Sequence, residues 1–137
     1  RKKPALAGLT GQLPAKKQSA NKKQRSVDDG PTVVWFRQDL RMHDNPALEA
    51  AARGSGPAVC VFVWSADEEG AATSWGPGGA SKVFLHHSLA ALDADLRLAR
   101  GEHGGLQFRQ GPCLQTLLEV ARASGATSVV WNRRYEP

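Results

Sequence analysis

Two short, continuous apolar runs constrain the fold of this 137-residue chain more than any other feature. Thr32–Phe36 (TVVWF) and Ala58–Trp64 (AVCVFVW) are rich in β-branched and aromatic residues. Strands of a parallel sheet that is covered on both faces have this pattern, whereas half-exposed antiparallel strands alternate apolar and polar residues. The pattern also predicts a strand at Ser128–Trp131 (SVVW) and a shorter, more polar one at residues 106–109 (LQFR).

Helix start and stop signals lie between the predicted strands. Asn45 can cap a first helix that ends at Gly54. Pro46 suits the first position of that helix, because the N–H group that proline lacks would have no partner there. The last helix is predicted to begin near Pro112 and to end at Gly125.

Two of the predicted helices carry an apolar stripe, which is typical of helices that pack on a sheet. The longer one covers about residues 81–100 and has leucines at alternating spacings of four and three. These are Leu85, Leu89, Leu92 and Leu96. The last helix is predicted to turn Leu114, Leu117, Leu118 and Ala121 toward the core.

Strands that alternate with helices predict the α/β class, with a parallel sheet and right-handed crossover connections. Ligands of such sheets bind outside the carboxyl ends of the strands. Polar residues are dense at three of these ends. They are Arg37, Asp39 and Arg41, then Ser65, Asp67, Glu68 and Glu69, and finally Asn132, Arg133, Tyr135 and Glu136. We therefore expect the functional surface at this edge.

The basic character of the chain is concentrated in its first residues. Residues 1–27 hold eight basic and no acidic side chains, whereas residues 28–137 hold ten basic and 13 acidic ones, a net charge of −3. We predict a disordered basic tail over residues 1–30. Such a tail suits nuclear import, organellar transit, non-specific attraction to nucleic acid, or a solvated leader without specific function. The chain opens on Arg1, and we expect a further segment upstream.

Several kinds of site are disfavoured by the sequence. The loop after the first predicted strand lacks the glycines that cradle a dinucleotide, and no P-loop lysine follows the glycines at residues 76–79. Adjacent His86 and His87 on a helix point in different directions, so they suit a metal poorly. Cys60 and Cys113 lack metal-ligand spacing and fit free thiols in a reducing compartment. No catalytic residue, metal site or membrane span is predicted.

Four segments together resemble the amino-terminal α/β domain of the photolyase/cryptochrome family. They are VVWFRQDLRMHDNPAL, VFVWSADEEG, GGASKVFLHHSLAALDADLR and WNRRYEP, which extend over about Thr32–Pro137. The second and third segments are similar to plant-type cryptochromes and related bacterial photolyases. The last is more like photolyases.

The resemblance implies a Rossmann-like parallel sheet, usually of five strands, joined to a helical domain that binds FAD. We expect residues 31–137 to form this domain with about four strands and to stop before the helical domain. The partner would be that FAD-binding helical domain of the same protein, and damaged DNA for the full-length parent if it is a photolyase. This part alone would not be catalytic.

The family also implies an antenna chromophore, methenyltetrahydrofolate or a deazaflavin, held by this domain in many members. A flat ring needs an apolar slot, which Trp35 or Phe36 would form with residues 62–64, including Phe62 and Trp64. The orienting groups would be Arg37, Ser65, Asn132 and Glu136. In a competing interpretation, Arg37, Asp39 and Arg41 fix their loop or dock the helical domain through ion pairs.

Two functions of the parent follow from the resemblance. It is either a deoxyribodipyrimidine photo-lyase that repairs pyrimidine dimers by light-driven electron transfer, or a blue-light photoreceptor without repair activity. A free-standing nucleotide-binding domain, as in electron-transfer flavoproteins or universal stress proteins, is disfavoured because the glycine-rich phosphate loop is missing. The basic tail predicts a location in the nucleus, a chloroplast or a mitochondrion.

Overall fold

The computed structural model describes residues 30–70 and 76–134, and it contains the predicted alternation of strands and helices. In chain order the elements are β1 (Thr32–Phe36), α1 (Pro46–Ala52), β2 (Ala58–Trp64), α2 (Gly79–Arg100), β3 (Gln107–Gln110), α3 (Cys113–Ser124) and β4 (Ser128–Trp131). A single 3-10 turn, Glu102–Gly104, lies between α2 and β3. None of the helices in these residues has the length and apolarity that a bilayer crossing requires. The predicted tail, residues 1–30, lies outside the described residues except for Gly30.

The four strands form one parallel sheet in the order β3-β2-β1-β4. The pairing is in register at the amino ends, where Thr32 lies opposite Ala58 on one side and Ser128 on the other. The chain adds β2 and β3 on one side of β1 and then returns to place β4 on the other. The strand order therefore reverses between β1 and β4, and their carboxyl ends diverge into separate loops at this switch point.

Both faces of the sheet are covered, as the continuous apolar strands predict. On one face Val34, Phe36, Cys60 and Phe62 pack with α1 and with three leucines of α2. These leucines are Leu89, Leu92 and Leu96. On the other face, Val33, Val61 and Val63 pack against α3. The α/β class with a parallel four-stranded sheet is thus confirmed.

The local helix signals are confirmed closely at α1 and at the end of α3. The side chain of Asn45 accepts a hydrogen bond from the Leu48 N–H group at 3.1 Å, and Pro46 occupies the first helical position. Gly125 ends α3 in the left-handed conformation, with φ of 64°, which glycine adopts without steric cost. Helix α2 begins at Gly79, two residues before the predicted start at Ser81.

The predicted core face of α3 is wrong for two residues. Leu114 and Leu118 are 73% and 45% exposed, whereas Cys113, Thr116, Leu117 and Val120 are buried. Each of the two sets lies along one side of a helix of 3.6 residues per turn, so helical periodicity alone allows either set to face the core. Packing against Val33, Val61 and Val63 selects the second set.

Strand β3 begins one residue later than predicted, at Gln107. Leu106 is buried, but its N–H group donates to the Asp93 carboxylate at 2.7 Å instead of joining the sheet. All four residues of β3 are exposed, since the strand lies at an edge of the sheet. Leu106 is therefore a buried residue before the strand and not part of β3 itself.

Candidate functional site at the carboxyl edge of the sheet

A compact hydrogen-bond network joins the loops that follow β1 and β4. The Asn132 side chain donates to both Asp39 and the Oδ1 atom of Asn45, the latter at 2.8 Å, and accepts from the Ala47 N–H group at 3.0 Å. The other carboxylate oxygen of Asp39 accepts the Arg37 N–H group at 3.0 Å. The amide side chain of the residue that follows β4 therefore fixes the loop after β1 and the start of α1.

Arg41 is held within the same loop. Its guanidinium group donates two hydrogen bonds to the Asp44 carbonyl, from Nε at 3.2 Å and from Nη2 at 3.0 Å. Asp44 has a positive φ of 50°, a conformation that non-glycine residues adopt rarely and aspartate more readily than most. The Arg41 carbonyl in turn accepts from the Asn45 side chain at 2.9 Å. These contacts support loop fixing for Asp39 and Arg41, while docking of a second domain stays a prediction.

Arg37 lies on the α3 side of the sheet. Its Cζ atom is 4.7 Å from the centroid of the Trp35 ring, the distance of a cation–π contact. The Trp35 Nε1 atom is buried and lacks a hydrogen-bond partner among the described residues. Both side chains line a small cavity of about 60 Å³, which Glu68, Glu69, Cys113 and Arg134 also line.

A wider groove opens beside this cavity, between the ends of β1 and β4, and we call it the arginine groove. Its volume is about 250 Å³. It is lined by Arg37, Gln38, Asp39, Arg41, Asn132, Arg133 and Arg134. Four guanidinium groups thus face one carboxylate, so the groove is strongly cationic.

An apolar cavity of about 360 Å³ lies on the opposite face, between α2 and the ends of β2 and β3, and we call it the α2 cavity. Its apolar walls are Phe62, Trp64, Leu85, Leu89 and Phe108. Three basic side chains, Lys82, His86 and Arg109, complete it. Apolar walls with a few polar groups are the usual character of a site for a flat organic ligand.

The structure divides the predicted antenna slot between these two faces. Phe62 and Trp64 line the α2 cavity, while Trp35 and Arg37 line the small cavity on the α3 side of the sheet. Of these four residues, Phe62 alone lines both cavities. Successive residues of a strand point to opposite faces, so Trp35 and Trp64 lie on different sides of the sheet. The antenna contacts themselves stay a prediction.

The remaining predicted ligand contacts have internal roles or lie outside the described part. Ser65 is buried at the end of β2, and its hydroxyl group bonds to Glu68. Asn132 is engaged in the loop network. Glu136, together with Tyr135, lies outside the described residues.

Sequence reasoning missed most of the α2 cavity. Lys82, Leu85, His86 and Leu89 all come from the first half of α2, for which the leucine spacing predicts only a packing stripe. No cluster of three or more His, Cys, Asp or Glu side chains able to hold a metal occurs within residues 30–70 and 76–134.

Cys113 is a buried free thiol at the first residue of α3. Burial, and then the hydrogen bond and charge of Glu68, raise the pKa of Cys113 to about 12. The Glu68 carboxylate accepts the Cys113 N–H group at 2.8 Å, and this bond lowers the pKa of Glu68. The thiol is therefore an inert packing group at neutral pH.

We expect Cys113 to react very slowly with a disulfide reagent at pH 8 in the folded protein. Glu68→Gln should speed the reaction, because it removes the negative charge that holds the thiol protonated. The pKa of Cys113 is higher in the folded than in the unfolded protein, so the protonated thiol favours the folded state. This contribution to the free energy of unfolding is fully present below pH 9, the ordinary pKa of a thiol, and is lost as the pH rises toward 12. Thiol titration of both forms, with the exposed Glu119→Gln as the matched control, measures the effect. Equal rates in the wild type and Glu68→Gln would contradict it.

Comparisons with known proteins agree with the fold and the sequence motifs. The DNA photolyase family model matches residues 32–137. A deoxyribodipyrimidine photo-lyase of Agrobacterium fabrum is 42% identical over 113 residues, which cover 82% of this chain and 22% of the relative. Cryptochrome-1 of Arabidopsis thaliana is 40% identical over 117 residues, which cover 79% of this chain and 15% of the relative.

A solved photolyase structure shares the fold of this chain. The crystal structure of a bacterial class III photolyase from Agrobacterium tumefaciens superposes with a TM-score of 0.67 at 41% sequence identity, covering 85% of this chain and 22% of that chain. The chain thus spans about a fifth of the length of these relatives.

Proposed function

The chain belongs to the DNA photolyase family, as the amino-terminal α/β domain of photolyases and cryptochromes, and from this premise we propose that it gathers light for a flavoprotein that repairs pyrimidine dimers. The observation that supports this most directly is the α2 cavity of about 360 Å³ at the carboxyl edge of the sheet. FAD would be held by the helical domain of the same protein, and damaged DNA would be its substrate.

The residues of the α2 cavity suit a folate or deazaflavin antenna. Phe62, Trp64 and Phe108 offer aromatic faces to a flat ring, and Leu85 and Leu89 exclude water from it. Lys82 and Arg109 also line the cavity, and their cationic groups suit a ring oxygen or a carboxylate of such a chromophore. When bound, an antenna absorbs light and transfers its excitation to the flavin without forming or breaking bonds.

A second function has support of the same kind. Cryptochrome-2 of Arabidopsis thaliana is 42% identical over 109 residues, the same identity as that with the Agrobacterium photo-lyase. The alternative is therefore a blue-light receptor that uses the same domain without repairing DNA.

One experiment separates the two. We expect the full-length protein, purified with its flavin, to restore DNA that contains cyclobutane pyrimidine dimers under blue light and not in the dark. An action spectrum of repair that has a maximum in addition to the maxima of the flavin would show that the antenna transfers excitation to the flavin. Photoreduction of the flavin without any loss of dimers would reject repair and support the receptor.

For the location of the protein we propose the nucleus, a chloroplast or a mitochondrion. The support is compositional, since residues 1–27 carry eight basic and no acidic side chains. Removal of these residues from a fluorescent fusion should leave the protein in the cytosol.

A further inference from the structure

We infer that the solvent side of α2 docks an uncharged segment of the same chain, residues 4–15. We call this side the outer face of α2, and its residues follow one another at spacings of three and four. They are Phe84, His87, Ala91, Ala94 and Leu98, with Val83 beside them. None of these residues lines the α2 cavity, so the outer face is a separate surface.

The outer face is apolar although solvent reaches it. Val83, Phe84 and Leu98 are 59%, 75% and 89% exposed. A helix that only covers a sheet usually has charged and polar residues on its solvent side. His87 is the one polar side chain among the residues that define the outer face. Both sides of α2 therefore have the composition of a buried surface, and within the described residues only the inner side is covered.

The first residues of the chain join the sheet beside the carboxyl-terminal end of α2. Arg100, the last residue of α2, donates a hydrogen bond to the Ala58 carbonyl. Ala58 lies opposite Thr32 in the sheet, and the Thr32 N–H group donates to the Pro57 carbonyl at 2.9 Å. Neighbouring strands are about 4.8 Å apart. Residues 1–29 therefore lead away from the sheet one strand from the point where α2 ends.

Residues 4–15 (PALAGLTGQLPA) differ from the sequence on either side of them. They include Leu6, Leu9 and Leu13 and carry no charged side chain, whereas the rest of the first 27 residues holds eight basic groups. Residues 16–29 connect this segment to the described chain and can extend to about 46 Å. Helix α2 has 22 residues and is about 33 Å long. The segment can therefore reach every part of the outer face.

The charges near the end of α2 suit the residues that would pass there. Residues 16–25 hold five basic side chains and no acidic one. Asp95 and Glu102 are exposed, and they form no salt bridge within the part of the chain that the structure describes. The nearby Arg97 is paired with Asp93 at 2.8 Å, and the negative end of the helix dipole adds to the attraction. A chain that runs back along α2 would bring its basic residues to this end and its leucines to the outer face.

The area of the outer face favours a tethered segment over a second copy of the protein. Stable dimers bury roughly 1,200–2,000 Å² in total. Two helices about 33 Å long and about 10 Å wide offer on the order of 700 Å². A segment of the same chain needs less area, because its tether gives it a millimolar effective concentration and removes most of the entropy cost of association. Such a segment needs no fixed structure before it docks.

The test is photo-cross-linking in the full-length protein with p-benzoylphenylalanine in place of Ala94, in the outer face. We expect ultraviolet light to join this residue to residues 4–15 of the same polypeptide, as mapped by mass spectrometry. The same photoreactive residue in place of Ala123 is the matched control. Ala123 is an exposed alanine of α3, which packs on the other face of the sheet, so it should not cross-link to residues 4–15.

Variants of the segment test its leucines directly. Leu6→Gln combined with Leu9→Gln should lower the yield of the cross-link by about tenfold, because two apolar side chains lose their burial. Thr10→Gln introduces the same side chain between them without removing an apolar group. It should change the yield by less than about twofold.

Four results would overturn the inference. The first is no cross-link from position 94, and the second is a cross-link to the helical domain, which would identify that domain as the cover of the outer face. The third is a product with the mass of two chains, which would identify a second copy as the partner. The fourth is an equal loss of yield in the leucine variant and in Thr10→Gln. Photorepair does not depend on this contact and is measured separately.

Discussion

Leu85→Trp should deprive the full-length protein of its antenna chromophore while leaving its flavin bound. Leu85 lines the α2 cavity and is only partly buried, so an indole at this position projects into the cavity without disturbing the packed leucines below it. A flat ring that loses the volume of its site loses most of its buried contact area. We expect antenna occupancy to fall by more than about tenfold, equivalent to about 1.4 kcal/mol or more.

Phe84→Trp is the matched control for this variant. Phe84 is the preceding residue of α2 and is 75% exposed, so the same indole points to solvent there. Antenna absorbance and flavin absorbance, measured on the purified proteins, give the two occupancies. Full antenna occupancy in Leu85→Trp would place the chromophore elsewhere and reject the α2 cavity as its site.

The second large effect is expected from Asn132→Leu, which preserves the size of the side chain and removes its polar atoms. Asn132 satisfies the Ala47 N–H group, Asn45 Oδ1 and Asp39 in a partly buried network. Each polar group left without its partner costs about 1–3 kcal/mol, and the solvent that reaches these groups favours the lower figure. We expect a loss of roughly 3 kcal/mol in the free energy of unfolding.

Urea denaturation followed by tryptophan fluorescence measures this loss. Arg133→Leu is the control, because Arg133 is the next residue along the chain and is exposed; its change should stay within about 0.5 kcal/mol. An Asp39→Ala change combined with Asn132→Leu should cost less than the sum of the two single changes, since both remove the same bond. A loss below about 1 kcal/mol for Asn132→Leu would mean that water replaces the amide without cost.

The sequence by itself determined the elements whose signals are local. β1, β2 and β4 begin and end where their apolar runs do. For the central strands β1 and β2 the reason is that a strand covered on both faces needs apolar side chains along its whole length. Helix α1 begins where Asn45 and Pro46 predict, since a cap depends on three neighbouring residues. The family, too, is carried by short motifs within single segments.

Only the tertiary structure decided which residues meet. Thr32 and Ser128 are adjacent through hydroxyl groups 2.8 Å apart, although 96 positions separate them along the chain. No local pattern shows that β4 lies beside β1, so the arginine groove and the loop-fixing role of Asn132 could not be derived from the sequence. The side of α3 that is buried, and the division of the predicted slot between two faces, have the same origin. Periodicity gives the positions that share a face, whereas long-range strand pairing determines what each face contacts.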